Sequence, residues 1–375
     1  MIKPFRVHTD EWMLDDLKRR LINTRWTDEV SNSGWSNGTS LPYMKELVSY
    51  WAGGYNWRKT ESEINALPNF MAGIDGYDIH FIHVKGKGRK SIPLLITHGW
   101  PGSFLEMLKL IPLLTADACL SFDLVIPSVV GFGFSQRVSE PGCNSWLIVD
   151  LWKKLMAELG YEKFGVQGGD IGAGISTRLA LKYPEHITGV HLNFISGSYA
   201  PYLAKGESLT EGEEDYKKIV LDWSDEEGAY GHLQRTRPAT LSFGLNDSPA
   251  GLCAWIIEKF RRWSDCNGNP ESIFTRDELL SNITLYWITQ TISSAVRLYR
   301  EDRLIPLKFG IDEFVKPPVA VARFPRELPM PPRSYVERGF NVQQWTEMSF
   351  GGHFAAMEQP VLLAEDIIKF FGKIV

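Results

Sequence analysis

Cysteine is scarce in this chain, with four in 375 residues. Cys119, Cys143, Cys253 and Cys266 have no C-x-x-C spacing and follow no secretory signal, so reduced thiols in a cytoplasmic protein are expected rather than a disulfide framework. No stretch approaches the roughly 18 apolar residues that a membrane-spanning helix needs. Positive charge is not in excess either. Forty Lys and Arg against 45 Asp and Glu leave a net charge of -5, which gives nucleic acid or an anionic membrane no electrostatic attraction. The one basic, glycine-containing loop, Lys85-Gly86-Lys87-Gly88-Arg89-Lys90, lacks the G-x-x-x-x-G-K-[ST] spacing of a phosphate loop and is predicted to be a solvated turn between two strands. Histidines do not cluster at metal-ligand spacing. His80 and His83 lie three apart on a strand and face opposite ways, so no metal and no cofactor are expected. Internal repeats and low-complexity tracts are also lacking. What remains is an ordinary globular composition, 44% hydrophobic and 23% charged, long enough to bury a large core and carry appended modules.

Against that background one pentapeptide carries chemistry. The apolar Phe164-Gly165-Val166 run enters Gly168-Gly169-Asp170-Ile171-Gly172, and Ala173 to Lys182 leaves it as a helix. The pattern is similar to the G-x-S-x-G nucleophile elbow of α/β-hydrolases, with small flanking residues and aspartate in the nucleophile's seat. A carboxylate is a poor attacker of amides, but it can open an sp³ carbon electrophile and form an ester on the enzyme. The expected electrophile is therefore an epoxide or an alkyl halide. Taken alone, the spacing also fits a strand-end turn in which Asp170 caps the next helix.

The rest of the chain supplies accessory parts in the order such a site requires. Upstream, Ile92 to Thr97 is strand-like and ends in His98-Gly99-Trp100-Pro101-Gly102, after which Ser103 to Leu114 reads as a helix. That turn can present the Trp100 N–H beside the Ile171 N–H, two fixed donors for an oxyanion, while His98 is read as a structural histidine holding the loop. Downstream, Phe350-Gly351-Gly352-His353-Phe354 follows the strand-like Phe340 to Met348 and precedes a helix from Pro360 to Phe371, where a general base is expected. The acid that orients it is read as Glu327, at the carboxyl end of the strand Val319 to Phe324. Asp312 and Glu313 precede that strand and would lie at its other end.

With these segments in view, the chain resembles the microsomal-type epoxide hydrolases, including the juvenile-hormone epoxide hydrolases and their soluble microbial relatives. The resemblance covers nearly the full length. It rests on the Pro4-Phe5 to Arg25-Trp26 stretch, Asp78 to His83, the His98 turn, the Asp170 elbow, Leu245-Asn246-Asp247-Ser248-Pro249 and Gly351 to Ala356. It implies an α/β-hydrolase fold, a mostly parallel sheet with helices on both faces, a helical cap insert and an N-terminal meander. Residues 1–80 would form a tryptophan-rich helical region (Trp26, Trp35, Trp51, Trp57) that wraps the catalytic domain and touches the cap. The catalytic domain would span 81–196 and 317–375, with 197–316 as cap. Within the cap, Gly251 to Trp263 and Asp277 to Tyr299 are the clearest helices.

The resemblance also implies a pair of cap tyrosines donating to the epoxide oxygen, which by position fall on Tyr230 and Tyr299. A phenol suits an oxygen that becomes a strong base. Tyr299 equally continues the Ile288, Ile292, Ala295/Val296 face of a helix, where a core tyrosine would sit. Ile171 follows the nucleophile where haloalkane dehalogenases have tryptophan, which argues against dehalogenation. The N-terminus runs into an amphipathic helix near Asp10 to Asn23, with Met13, Leu17 and Leu21 in register, and since no stretch is apolar over a membrane-spanning length, the anchor of the microsomal relatives is not expected here. The expected partner is a small-molecule epoxide, converted with water to a vicinal diol. A haloalkane dehalogenase-like hydrolase and a hydrolase-fold ligand-binding protein are the rival readings. The natural epoxide and the oligomeric state, a homodimer among the alternatives, are left open.

Overall fold

The computed structural model describes residues 1–117 and 119–374. The chain opens with the short strand β1 (Ile2–Pro4), three helices, α1 (Glu11–Ile22), α2 (Leu41–Gly53) and α3 (Trp57–Asn65), and an antiparallel pair, β2 (Asn69–Ile74) and β3 (Tyr77–Val84). Leu17 and Leu21 bury the apolar stripe of α1, with Met13 half-buried beside them. The tryptophans of this region reach outward from it. Trp51 donates its indole N–H to Thr284 Oγ1 at 2.9 Å, and the Arg261 guanidinium lies 4.6 Å over the Trp35 ring. Trp57 instead holds the first loop, through Thr9 Oγ1 at 2.8 Å, and Trp26 is largely exposed. Because β1 pairs with β2, β2 with β3 and β3 with a later strand, this segment also extends the central sheet.

Next come β4 (Lys90–Thr97), α4 (Leu110–Thr115), β5 (Leu120–Pro127), α5 (Ser145–Glu158), β6 (Phe164–Gly168), α6 (Asp170–Lys182) and β7 (Ile187–Leu192). Every residue of β6 is buried, the mark of a parallel strand covered by helices on both faces. The expected helix from Ser103 to Leu114 is instead a 3-10 helix, Phe104–Lys109, followed by α4. Pro112 has no N–H to donate to Leu108 and its ring would crowd that carbonyl, so the regular helix starts only with Pro112 in its first turn.

The insert between β7 and β8 is helical: α7 (Glu211–Glu227), α8 (Ala229–Thr236), α9 (Pro238–Asp247), α10 (Pro249–Trp263), α11 (Arg276–Thr289) and α12 (Ile292–Arg303). Thr210 with Glu213 and Thr275 with Glu278 form capping boxes that start α7 and α11. The single helix expected from Asp277 to Tyr299 is broken. Gln290 takes a left-handed conformation (φ 53°) and Thr291 N–H turns back to the Tyr286 carbonyl, ending α11. Ile288 and Tyr299 therefore lie on different helices rather than on one face.

The chain closes with β8 (Val315–Arg323), α13 (Arg333–Glu337), β9 (Phe340–Glu347), α14 (Ala355–Glu358) and α15 (Pro360–Ile374). Among the described residues, nine strands form one sheet in the order β1-β2-β3-β5-β4-β6-β7-β8-β9, antiparallel through β3 and parallel from β5 onward. Register brings Thr97 of β4 and Leu192 of β7 beside Gly168 of β6, and Arg323 of β8 beside Glu347 of β9. The loops leaving these strands consequently emerge along one edge, under the insert, where open α/β sheets bind ligands.

Candidate active site

Asp170 is the first residue of α6 and has φ 46°, a conformation that costs a non-glycine residue on the order of 1–3 kcal/mol unless its surroundings enforce it. Enforcement comes from close packing of the turn on β4. A Cβ at Gly172 would lie 1.9 Å from the Thr97 carbonyl oxygen, a backbone atom with nowhere to move. Gly172→Ala is expected to lower stability by at least about 1–3 kcal/mol, and denaturant unfolding of the variant measures it.

The β4 turn completes one half of the site. The Trp100 N–H donates to Asp170 Oδ1 at 2.8 Å. Ile171 is the second residue of α6, so its N–H belongs to the first turn, which lacks intrahelical acceptors. His98 holds this loop: its Nε2 accepts from Val129 N–H at 3.1 Å, which leaves Nδ1 to donate to the Gly99 carbonyl at 3.1 Å. Burial pulls its pKa down to about 4, so it is neutral.

His353 supplies the other half. Its Nδ1 is 2.5 Å from Glu327 Oε1 and its Nε2 is 3.5 Å from Asp170 Oδ2. Glu327 leaves the end of β8 with its side chain 1% exposed, whereas Asp312 and Glu313 are exposed before that strand. The histidine loop turns at Gly351 (φ 103°) and is tied to the end of α10, where the Trp263 carbonyl accepts from His353 N–H at 2.8 Å. Burial alone would lower the His353 pKa. The charge of Glu327 and the bonds to Asp170 and Glu327 outweigh it, lifting the imidazole well above its ordinary 6.5. The site thus holds a proton on His353 more tightly than a free imidazole would.

Across from Asp170, a cavity of about 390 Å³ is lined by Ile171, Phe194, Trp223, Leu328 and both Tyr230 and Tyr299. That volume suits a small apolar ligand. The two phenol rings meet edge to face with centroids 6.2 Å apart, and Tyr230 stacks on the Trp100 indole at 5.4 Å. Burial, then the Asp170 charge, raises the Tyr230 pKa. Burial, then Tyr230 and Asp170, does the same for Tyr299, so both phenols keep their protons.

Several contributors to the site were missed by sequence reasoning. Trp100 entered only through its backbone, yet its ring orders the tyrosine pair. Glu358 accepts from Phe354 N–H at 2.9 Å and from Asp265 N–H at 2.8 Å, fastening the histidine loop to the insert. Burial lifts its pKa to about 7, against the pull of those donors. Glu106 is a third buried carboxyl near His353 and Asp170. The signal for both was a lone glutamate inside an apolar run, Phe104-Leu105-Glu106-Met107-Leu108 and Ala355-Ala356-Met357-Glu358.

A mostly parallel sheet with a strained elbow, a facing N–H donor and a histidine–carboxylate pair behind it defines an α/β-hydrolase, here with aspartate at the elbow. Residues 92–238 match the model of the alpha/beta hydrolase fold, and residues 2–107 that of the epoxide hydrolase N terminus. The chain belongs to the epoxide hydrolase family. It is 39% identical to epoxide hydrolase 1 of Sus scrofa, over 99% of this chain and 88% of the relative. With juvenile hormone epoxide hydrolase 2 of Ctenocephalides felis it shares 36% identity, over 100% of this chain and 86% of that one. The crystal structure of the juvenile hormone epoxide hydrolase of Bombyx mori superposes with a TM-score of 0.86 at 32% identity, covering 100% of this chain and 94% of that one. Among the described residues, no helix is long and apolar enough to cross a membrane.

Proposed function

We propose that this epoxide hydrolase works through a covalent ester on Asp170. The observation that carries the reading is the pairing of Asp170 with two different environments: Oδ1 rests on the Trp100 N–H, and Oδ2 lies beside His353. Oδ2 attacks an epoxide carbon while Tyr230 and Tyr299 hydrogen-bond the ring oxygen, and one phenol proton passes to it as the ring opens. Once Asp170 is an ester, one of the two charges raising the His353 pKa is gone. The imidazole then gives up its extra proton, which replaces the one the phenol lost, and can serve as base. His353, oriented by Glu327, takes a proton from water, which attacks the Asp170 carbonyl carbon. The Oδ1 oxyanion forms on the Trp100 N–H, with the Ile171 N–H as the second donor of the proposed oxyanion hole, and a vicinal diol leaves.

In the proposed organisation, 1–80 wraps a catalytic domain of 81–196 and 317–375 under the cap 197–316. Contacts from Trp35 and Trp51 to the cap helices support it. A cytoplasmic setting is supported by the four unpaired cysteines. The direct test is turnover of mono-, di- and trisubstituted epoxides with no cofactor added. Vicinal diol is the expected product. Halide release from haloalkanes without diol would make the protein a dehalogenase, and tight binding without turnover would make it a ligand-binding protein.

The phenols give a graded prediction. Tyr299→Phe leaves Tyr230 in place, so ester formation is expected to slow by about one to two powers of ten, roughly 1.4 kcal/mol for each, with Tyr230→Phe alike. The double variant is expected to lose far more, since the alkoxide would leave unprotonated. Pre-steady-state measurement of the alkylation step checks this, and a double variant as fast as either single one removes the pair from the mechanism.

A further inference from the structure

A second, much smaller cavity shares Asp170 with the substrate pocket. It has a volume of about 20 Å³, and His353, Glu106, Gln167 and Asn193 also line it. That is room for one water molecule, provided two or more polar groups hold it. Polar groups are present. Gln167 is 1% exposed and gives its Nε2 to Asn193 Oδ1 at 2.8 Å, while its own Oε1 is buried with no protein partner. Glu106 is buried as well, and its carboxyl is pressed into the bend of the β4 turn, where a Cβ at Gly102 would fall 1.2 Å from Oε1. The Tyr286 hydroxyl beside this bend is already committed to the Gly102 carbonyl at 2.7 Å.

Glu106 has a second neighbour. A cavity of about 350 Å³ lies among α3, the 3-10 helix and α11, with Lys59, Lys109 and Glu278 at its rim, and Glu106 lines it too. Among the described residues, Glu106 is the one side chain common to the small chamber and this outer cleft. It stands between solvent on one side and the Asp170–His353 pair on the other.

We propose that Glu106 positions the water that cleaves the Asp170 ester, holding it in the chamber beside His353. The inference rests on the covalent reading of Asp170 and adds a residue to its second step. Water oxygen bonds to the Asp170 carboxyl carbon, the bond from that carbon to the alkylated Oδ2 breaks, one water proton passes to His353 Nε2 and the other ends on the departing diol oxygen, and Glu106 neither gains nor loses a proton. Burial supports this division of labour, because it lifts the Glu106 carboxyl to about 8, against the nearby His353 charge. A neutral carboxyl can donate to and accept from water without competing with His353 for its proton.

The test separates the two steps in the full-length enzyme, following ester formation by rapid mixing and its decay by intact-protein mass. Glu106→Met removes the polar contact at nearly constant size. Ester formation is expected to stay within about threefold of the natural enzyme, while ester decay slows by about ten- to a hundredfold, the effect of losing one hydrogen bond to the attacking group. Glu106→Gln, which restores a neutral donor and acceptor, is expected to return decay to within about threefold. Glu106→Ala gives the same ratio of steps should the methionine variant fail to fold. An unchanged ratio in the methionine or alanine variant, or an equal loss in the glutamine variant, overturns the role of Glu106. Absence of any ester in the natural enzyme overturns the covalent reading itself, a result distinct from either.

Discussion

Asp170→Ala makes no diol above background. Without the carboxylate, water would have to open the epoxide directly, and His353, whose raised pKa depends partly on Asp170, would be left facing it at about 3.5 Å from a missing partner. A fall of at least about three powers of ten is expected, roughly 4 kcal/mol of lost transition-state stabilisation. Substantial residual activity in a pure sample would point to a single-step mechanism with another residue as base. Isotope makes the test sharper. In one turnover in oxygen-18 water, the diol takes its second oxygen from Asp170 Oδ2 and the label enters the Asp170 carboxylate, readable by peptide mass. Label in the first diol released would exclude the ester.

His353→Gln stops the cycle halfway. Ester formation draws on Asp170 and the phenols, none of which needs the imidazole as a base, so the epoxide still opens. Hydrolysis then lacks a proton acceptor 3.5 Å from the ester, because a glutamine amide can still donate to Glu327 but cannot take a proton from water. Intact protein should gain the mass of one substrate and keep it for many natural turnover times, with the steady-state rate down by about two to four powers of ten, the worth of a positioned general base. Turnover that has stopped with no adduct would mean that His353 acts before the ester forms.

Much of this site was legible in the linear chain. The Asp170 elbow, the His98 to Gly102 turn and the glycine-flanked His353 are each contiguous, and each is dictated by steric demands within a few residues: small flanks where backbone meets backbone, glycine where φ is positive. Strands before them and helices after them follow from apolar runs of the right length. The break at Gln290 was not legible, because Asp277 to Tyr299 has helical spacing throughout and the interruption lies in a left-handed residue that is not glycine. Nor could spacing reveal that the Trp100 ring stacks on Tyr230, 130 residues away.

The chemistry on offer is written in the linear chain, since a carboxylate at a nucleophile's turn and a histidine after the last strand restrict the reactions available whatever surrounds them. Which groups meet depends on contacts between distant segments. The 2.5 Å contact of His353 with Glu327, the Trp100 N–H on Asp170 and the chamber shared by Glu106 and Gln167 depend on strand register and on how the insert lies over the sheet. Register is set by burial summed over whole strands, and the raised carboxyl of Glu106 by the walls closing around it. Neither quantity resides in any short stretch of chain, which is why a lone glutamate in an apolar run marks Glu106 as unusual without showing which groups it meets.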